Sequence, residues 1–89
     1  MSEPYRSTPI IDENTLPAAL RTDHKTKDGA WGVVRVIEGE VMLTYVDPFS
    51  EKVLTPGDFA VVEPQQAHFV TPRGPMRMQV DFYKEPPTF

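Results

Sequence analysis

Apolar residues recur along this chain in short runs with a period of two, the spacing that buries one face of a β-strand. Trp31–Glu38 is the strongest run, rich in valine and isoleucine. Glu40–Val46 follows, with Val41, Leu43 and Tyr45 sharing a face. Lys52–Thr55, Phe59–Glu63 and Ala67–Thr71 read as shorter strands. In Met76–Tyr83 the apolar Met78, Val80 and Phe82 alternate with Arg77, Gln79 and Asp81. The first set is expected inside and the second at the surface, with Asp81 pairing an arginine. A further strand is expected at Ser7–Ile11.

Ten prolines and five glycines cut the sequence at short intervals, which favours many short strands over long helices. Thr15-Leu-Pro-Ala-Ala-Leu20 is the one helical signal: Thr15 is placed to cap a single turn and Pro17 suits its start. Glu38-Gly39-Glu40 is expected to reverse the chain between the two strands around it, with Gly39 at positive φ. Asp47–Ser50 reads as a loop. Pro56-Gly57 fits the central positions of a type II turn. Pro64 stops a strand, and Pro72-Arg-Gly-Pro75 turns the chain again. The tail Glu85–Phe89, with two prolines, cannot extend a ladder. Seven or eight strands at this spacing predict an all-β sandwich or barrel. Residues 1–14 would be an extended arm, 15–84 the barrel and 85–89 a tail. No internal repeat stands out.

Composition narrows the function classes. Eighty-nine residues make one domain. A chain of this length hides only about 60–65% of its unfolded surface. Small domains often gain stability by association, so a homodimer is expected. The net charge of −4 argues against a nucleic-acid partner. Without cysteine, disulfides, thiolate chemistry and Cys-type zinc sites are excluded. No apolar run approaches membrane-spanning length, and Met1–Arg6 lacks a signal peptide's apolar centre. A soluble, cytoplasmic protein is the expectation. Ser7 and Ser50 lack a nucleophile elbow, and no glycine loop is built to cradle phosphate.

Two histidines, His24 and His68, remain as candidate chemistry. The stretch from Gly57 to His68 runs turn, strand, proline, histidine. It resembles the second motif of cupins: glycine, five residues, proline, x, glycine, two residues, histidine. Gly57 and His68 keep the spacing, Pro64 comes one place late, and Gln65 stands where the second glycine would be. In the first cupin motif His24 stands for the leading histidine, Thr26 replaces the second, the glutamate position near Trp31-Gly32 is lost, and Gly39 matches the hairpin glycine.

A narrower set also fits: Leu16-Pro17, His24–Trp31, Val36–Gly39, Val62–Gln65 with His68, and Asp81–Tyr83. Together these resemble the YeaR/TehB-type small cupins, a family named for an association with tellurite resistance. The resemblance implies a small double-stranded β-helix with both histidines projecting into one cavity.

That placement makes His24 and His68 candidate ligands for a divalent metal, zinc, iron or nickel, to which a substrate oxygen or an oxyanion such as tellurite could bind. Such an ion wants a third protein ligand. Glu63 is first choice, provided that its strand parity with Phe59 and Val61 turns it inward. Asp28, four residues after His24, is second and Asp81 third. Trp31, Gln65 and Tyr83 are candidate pocket-lining residues, with Phe69 and Gln66 behind them, although core or rim packing and turn roles are the stronger accounts of such residues. Three functions compete: a metal-dependent small-molecule protein, a metal-free module that binds or senses a small ligand, and a structural dimerisation domain.

Overall fold

Each alternating run is a strand in the computed structural model, which describes residues 3–22, 24, 25 and 28–87, His24 through its backbone alone. In chain order the strands are β1 (Arg6–Ser7), β2 (Ile11–Asp12), β3 (His24–Lys25), β4 (Trp31–Glu38) and β5 (Val41–Val46). There follow β6 (Phe49–Leu54), β7 (Phe59–Val62), β8 (Ala67–Pro72) and β9 (Arg77–Tyr83). A single 3-10 turn covers Ala18–Leu20. One sheet has the order β1–β9–β4–β7, with β2 also on β9; the other runs β3–β8–β5–β6. All pairings are antiparallel.

Only β5 and β6 form a hairpin, with Val46 opposite Phe49 across Asp47-Pro48. Every other connection from β2 onward carries the chain from one sheet to the other. That winding is the double-stranded β-helix of a small cupin-type barrel. It also corrects the reversal expected at Gly39. The strands on either side do not pair: β4 lies between β9 and β7, and β5 between β8 and β6. Gly39, at φ +73°, is a corner between the sheets, and a Cβ there would collide with the Pro75 carbonyl oxygen.

Other expectations shift for local reasons. The first strand splits into β1 and β2 because Pro9 has no N–H for the ladder on β9. Thr8 bridges the gap, donating its amide to Val80 O at 2.9 Å and accepting from Val80 N on Oγ1 at 3.1 Å. Thr15 does not cap the 3-10 turn, whose N-cap is Pro17. Its Oγ1 accepts from the Asp12 amide at 2.9 Å instead, and Asp12 Oδ1 takes the amides of Asn14 and Thr15. β6 begins at Phe49 rather than Lys52, because its ladder uses the whole of Val41–Val46. His24, expected in a loop, belongs to β3.

The facing sides of the sheets supply the core: Val34, Val36, Ala60, Val62, Met78 and Val80 from one, Val41, Leu43, Leu54 and Val70 from the other. Each of these valine, leucine and methionine side chains contributes about 1.5–3 kcal/mol when fully buried. Phe49, Val53 and Phe59 stay exposed.

Parity sends Asp81 outward as expected, but not into water: it is 6% exposed. Arg35 Nε donates to Asp81 Oδ2 at 2.6 Å, Ser7 Oγ to Oδ1 at 2.7 Å, and the same guanidinium reaches Gln79 Oε1 at 2.7 Å. Burial by itself would raise the Asp81 carboxyl. The hydrogen bonds from Arg35 and Ser7, with the Arg35 charge, outweigh it and hold the group below its ordinary value.

A carboxyl depressed on folding adds stability above its unfolded pKa and loses it as pH falls through the folded one. Asp81→Asn should therefore cost about 1–2 kcal/mol at neutral pH, since Arg35 is part-exposed and can resolvate. The cost should vanish in strong acid. Urea denaturation of both proteins across that range checks it: the two stability curves should converge as the pH drops below the ordinary carboxylate range.

Candidate functional site

Inside the barrel, away from the Gly39 corner, the core does not fill the space between the sheets. A cavity of about 290 Å³ opens there. Its walls are Gly32, Val34, Val62, Val70, Val80 and Phe82, with His68 set among them. Gly32 is part of the reason for the space. The nearest atoms to a Cβ at that position would be those of Phe82, Val62 and Val80, each at 3.9 Å, which is ordinary contact. Tyr5, Arg6 and Thr8 from the N-terminal arm form one side of the rim; Leu20, Lys25 and Ala30 form the other.

His68 reaches the cavity through its register. On β8 it stands opposite Tyr45 of β5 on one side and opposite His24 of β3 on the other. The ring is 6% exposed, and its Nδ1 lies 2.8 Å from the Gln66 carbonyl oxygen. A carbonyl only accepts, so Nδ1 carries the proton and a neutral ring keeps its lone pair on Nε2. Tyr45 spans the sheets, its hydroxyl donating to Val61 O at 2.7 Å. Burial, with the nearby Glu63 charge, pushes this phenol above its ordinary value, so it is a neutral donor.

The residue that holds His68 ends a turn of defined build. Gln66 N donates to Glu63 O at 3.1 Å, Pro64 takes the second position, and Gln65 takes the third at φ +60°. The turn at the other end of β7 has the same plan: Asp58 N donates to Thr55 O at 2.8 Å, with Pro56 and then Gly57 at φ +92°. In each the fourth side chain caps the first amide, Asp58 on Thr55 N at 3.0 Å and Gln66 on Glu63 N at 2.9 Å. These are type II turns, whose third position wants positive φ and usually glycine. Gln65 adopts the glycine's conformation without being one, at the place where the cupin pattern has its second glycine.

The structure distributes the other candidates widely. The condition attached to Glu63 does not hold: Ala60 and Val62 are the buried positions of β7, and Glu63 is exposed at the turn. Asp28 is exposed in the turn before Gly29, and Asp81 is engaged by Arg35 on the far side of its sheet. Trp31 and Tyr83 face each other across β4 and β9. They share the outer face with Val33 and Asp81 while their neighbours Gly32 and Phe82 line the cavity. Phe69 likewise alternates outward between His68 and Val70. Gln65 is exposed. The His24 side chain and Thr26 lie outside the described residues, among which no group of three or more His, Cys, Asp or Glu could hold a metal ion.

Sequence reasoning passed over Arg6, Lys25, Phe82 and Gly32 as site residues. A lone glycine in a strand pattern was the available signal for Gly32. Nothing local marks the two cations, which only the pairing of β1 and β3 brings to the rim.

The TehB-like domain family matches residues 6–80 of the chain. Over 71 residues the chain is 31% identical to the probable S-adenosyl-L-methionine-dependent methyltransferase TehB of Haemophilus influenzae, covering 74% of this chain and 25% of that protein. It thus spans about a quarter of that relative's length. A structure from Escherichia coli strain K12 superposes with a TM-score of 0.86 at 24% identity, over 97% of this chain and 93% of that one. The structure of H. influenzae TehB gives 0.81 at 26% identity, over 90% and 30%. Two further structures are alike in fold alone. The iron(II) form of HppE gives 0.64 at 18% identity, over 83% and 40%. A cupin superfamily protein of Desulfitobacterium hafniense gives 0.54 at 15%, over 85% and 79%.

Because the turn before His68 demands positive φ, Gln65→Val should cost about 1–2 kcal/mol, a β-branched residue tolerating that conformation poorly. Gln65→Gly should stay within about 1 kcal/mol of the parent, relief of strain offsetting the added freedom of the unfolded chain. Thermal unfolding of the two variants provides the comparison, and imidazole nitrogen shifts should show His68 protonated on Nδ1 in the glycine variant.

Proposed function

The chain belongs to the TehB-like domain family, and we propose that it binds a small organic molecule in the cavity of its cupin-type barrel, with His68 as the polar anchor. The observation that carries this reading is the cavity itself. If it were a closed dry void, about 290 Å³ at roughly 24 cal/mol per Å³ would cost on the order of 7 kcal/mol. Small domains have a total stability of only about 5–15 kcal/mol. A hollow on that scale, with apolar described walls and the oriented His68 imidazole, is built to be filled. Its volume lies near the lower end of small-molecule sites, about 300–1,000 Å³.

A second reading is a divalent metal at His68. Two observations favour it. His24 stands directly opposite His68 in the β3–β8 ladder, and residues so opposed share a sheet face. A ring held through Nδ1 by a carbonyl is also the arrangement seen behind metal-binding histidines. Among the described residues the donor set stops there. Glu63 and Asp28 are exposed, Asp81 is committed to Arg35, and the rest of the described wall is apolar. Two imidazoles fall short of the three protein ligands that zinc, iron or nickel sites use, so the metal-free reading ranks first. Any part in tellurite resistance would then run through the bound molecule.

Gly32→Val separates binding from folding. The backbone at Gly32 lies outside positive φ, so valine should hold or raise the melting temperature by filling the hollow and favouring the strand. The same change should abolish the thermal shifts that small aromatic and aliphatic compounds give with the parent. Unchanged shifts in this variant would remove the cavity as the site.

Elemental analysis of protein purified without an affinity tag addresses the metal. Well under one ion per chain is expected, with ligand shifts that survive a chelator. One tightly held ion per chain, lost in His68→Ala, would reverse the ranking.

A further inference from the structure

The charges around the cavity are sorted against the composition of the chain. The sequence has thirteen acidic and nine basic residues, yet no carboxylate is among the described residues that line the cavity. Two cations are: Arg6 and Lys25, both exposed at the rim. Neither forms an ion pair among the described residues. Arg6 is held in place, its guanidinium 5.6 Å from the centre of the Phe82 ring, and Phe82 is itself a wall residue. A third cation stands just behind, with Lys84 Nζ 5.4 Å from the ring of Tyr5 on the same rim. Below these charges the described walls are valine, glycine and phenylalanine, with the His68 imidazole among them.

We propose that this cavity takes a small organic monoanion, an apolar body about the size of benzoate or hexanoate, whose carboxylate lies at the rim beside Arg6 and Lys25. The inference deepens the binding reading above and rests on it. Size is set by volume: an apolar cavity of about 150 Å³ holds benzene, so about 290 Å³ has room for a ring or short chain with its headgroup. Charge is set by the rim, where a cationic ligand would be repelled and a neutral one would leave the positive field unused. The walls argue against a bare inorganic oxyanion such as tellurite. Such an ion would lose its hydration against valine side chains that donate nothing in return.

The test is a titration of the full chain at low ionic strength, followed by amide NMR shifts. The probes are benzoate, benzyl alcohol, benzylamine and tellurite. Benzoate should move the amides of Gly32, Val70 and Phe82 and bind about five- to tenfold more tightly than benzyl alcohol, the range expected for two exposed charges. That preference should shrink towards unity in high salt and in the Arg6→Gln/Lys25→Gln variant, with benzyl alcohol affinity unchanged. Because Arg6 also belongs to β1, Lys25→Gln alone serves as a control that leaves the arm intact, and it should lose part of the preference.

Equal affinity for benzoate and benzyl alcohol, or tighter binding of benzylamine, would overturn the anion assignment and leave the cavity reading standing. Tellurite matching benzoate would show that the apolar body plays no part and would overturn it too. If no probe moves the cavity amides, both readings fall together.

Discussion

The register of β8 is the constraint on which the site depends. This strand lies between β3 and β5, and alternate residues point to opposite faces. His68 and Val70 are buried, while Ala67, Phe69 and Thr71 take the other face. A slip of one residue would withdraw the imidazole and bury Thr71 in its stead. Two features prevent the slip. Val70 packs opposite Leu43, both essentially inaccessible. The Glu63–Gln66 turn starts the strand at a fixed point and bonds His68 Nδ1 through the Gln66 carbonyl. One short turn thus sets both the depth of His68 and the orientation of its ring. An unfavourable backbone angle at Gln65 is a small cost beside those two effects.

Much of this was legible in the chain. The alternation in β4, β5 and β9 identified the strands and which of their residues share a face. The Gly57 turn could be read from Pro-Gly alone. Its counterpart at Gln65 could not, although Thr-Pro-Gly-Asp and Glu-Pro-Gln-Gln fold alike, because glutamine gives no sign that it will accept positive φ. Period two also says nothing about which strand lies next door. For that reason Gly39 reads as a hairpin when it is a corner between sheets. Size misled the assignment of inside and outside. Trp31, Phe59, Phe69 and Tyr83 look like interior residues. Facing sheets about 10 Å apart are filled mostly by aliphatic side chains such as valine, leucine and methionine, and the barrel places these four aromatics on the outer faces. Glu63, tied by parity to Phe59 and Val61, goes outward with them.

The arm shows how stability and the site are joined. β1 has two residues, and they point opposite ways. Ser7 is opposite Asp81 and completes the outer network with Arg35. Arg6 is opposite Phe82 and lies at the cavity rim. The bond from Ser7 Oγ to the Asp81 carboxylate therefore does more than satisfy a buried charge. It fixes the strand whose other residue brings a cation to the rim.

The other arginines among the described residues are placed differently. Arg35, Arg73 and Arg77 are matched to Asp81, Glu40 and Glu38. Arg21 is bound to the carbonyls of Glu13 and Leu16. These pairs hold strands and corners together and cancel their own fields. Arg6 and Lys25 sit where no carboxylate among the described lining residues cancels theirs, on two short strands that lie at the free edges of the two sheets. Edge strands with few ladder bonds are the parts of such a barrel that open at least cost. β3 is such an element, whereas the Ser7–Asp81 bond ties β1 to its neighbour, so the two cations stand on edges of unequal firmness.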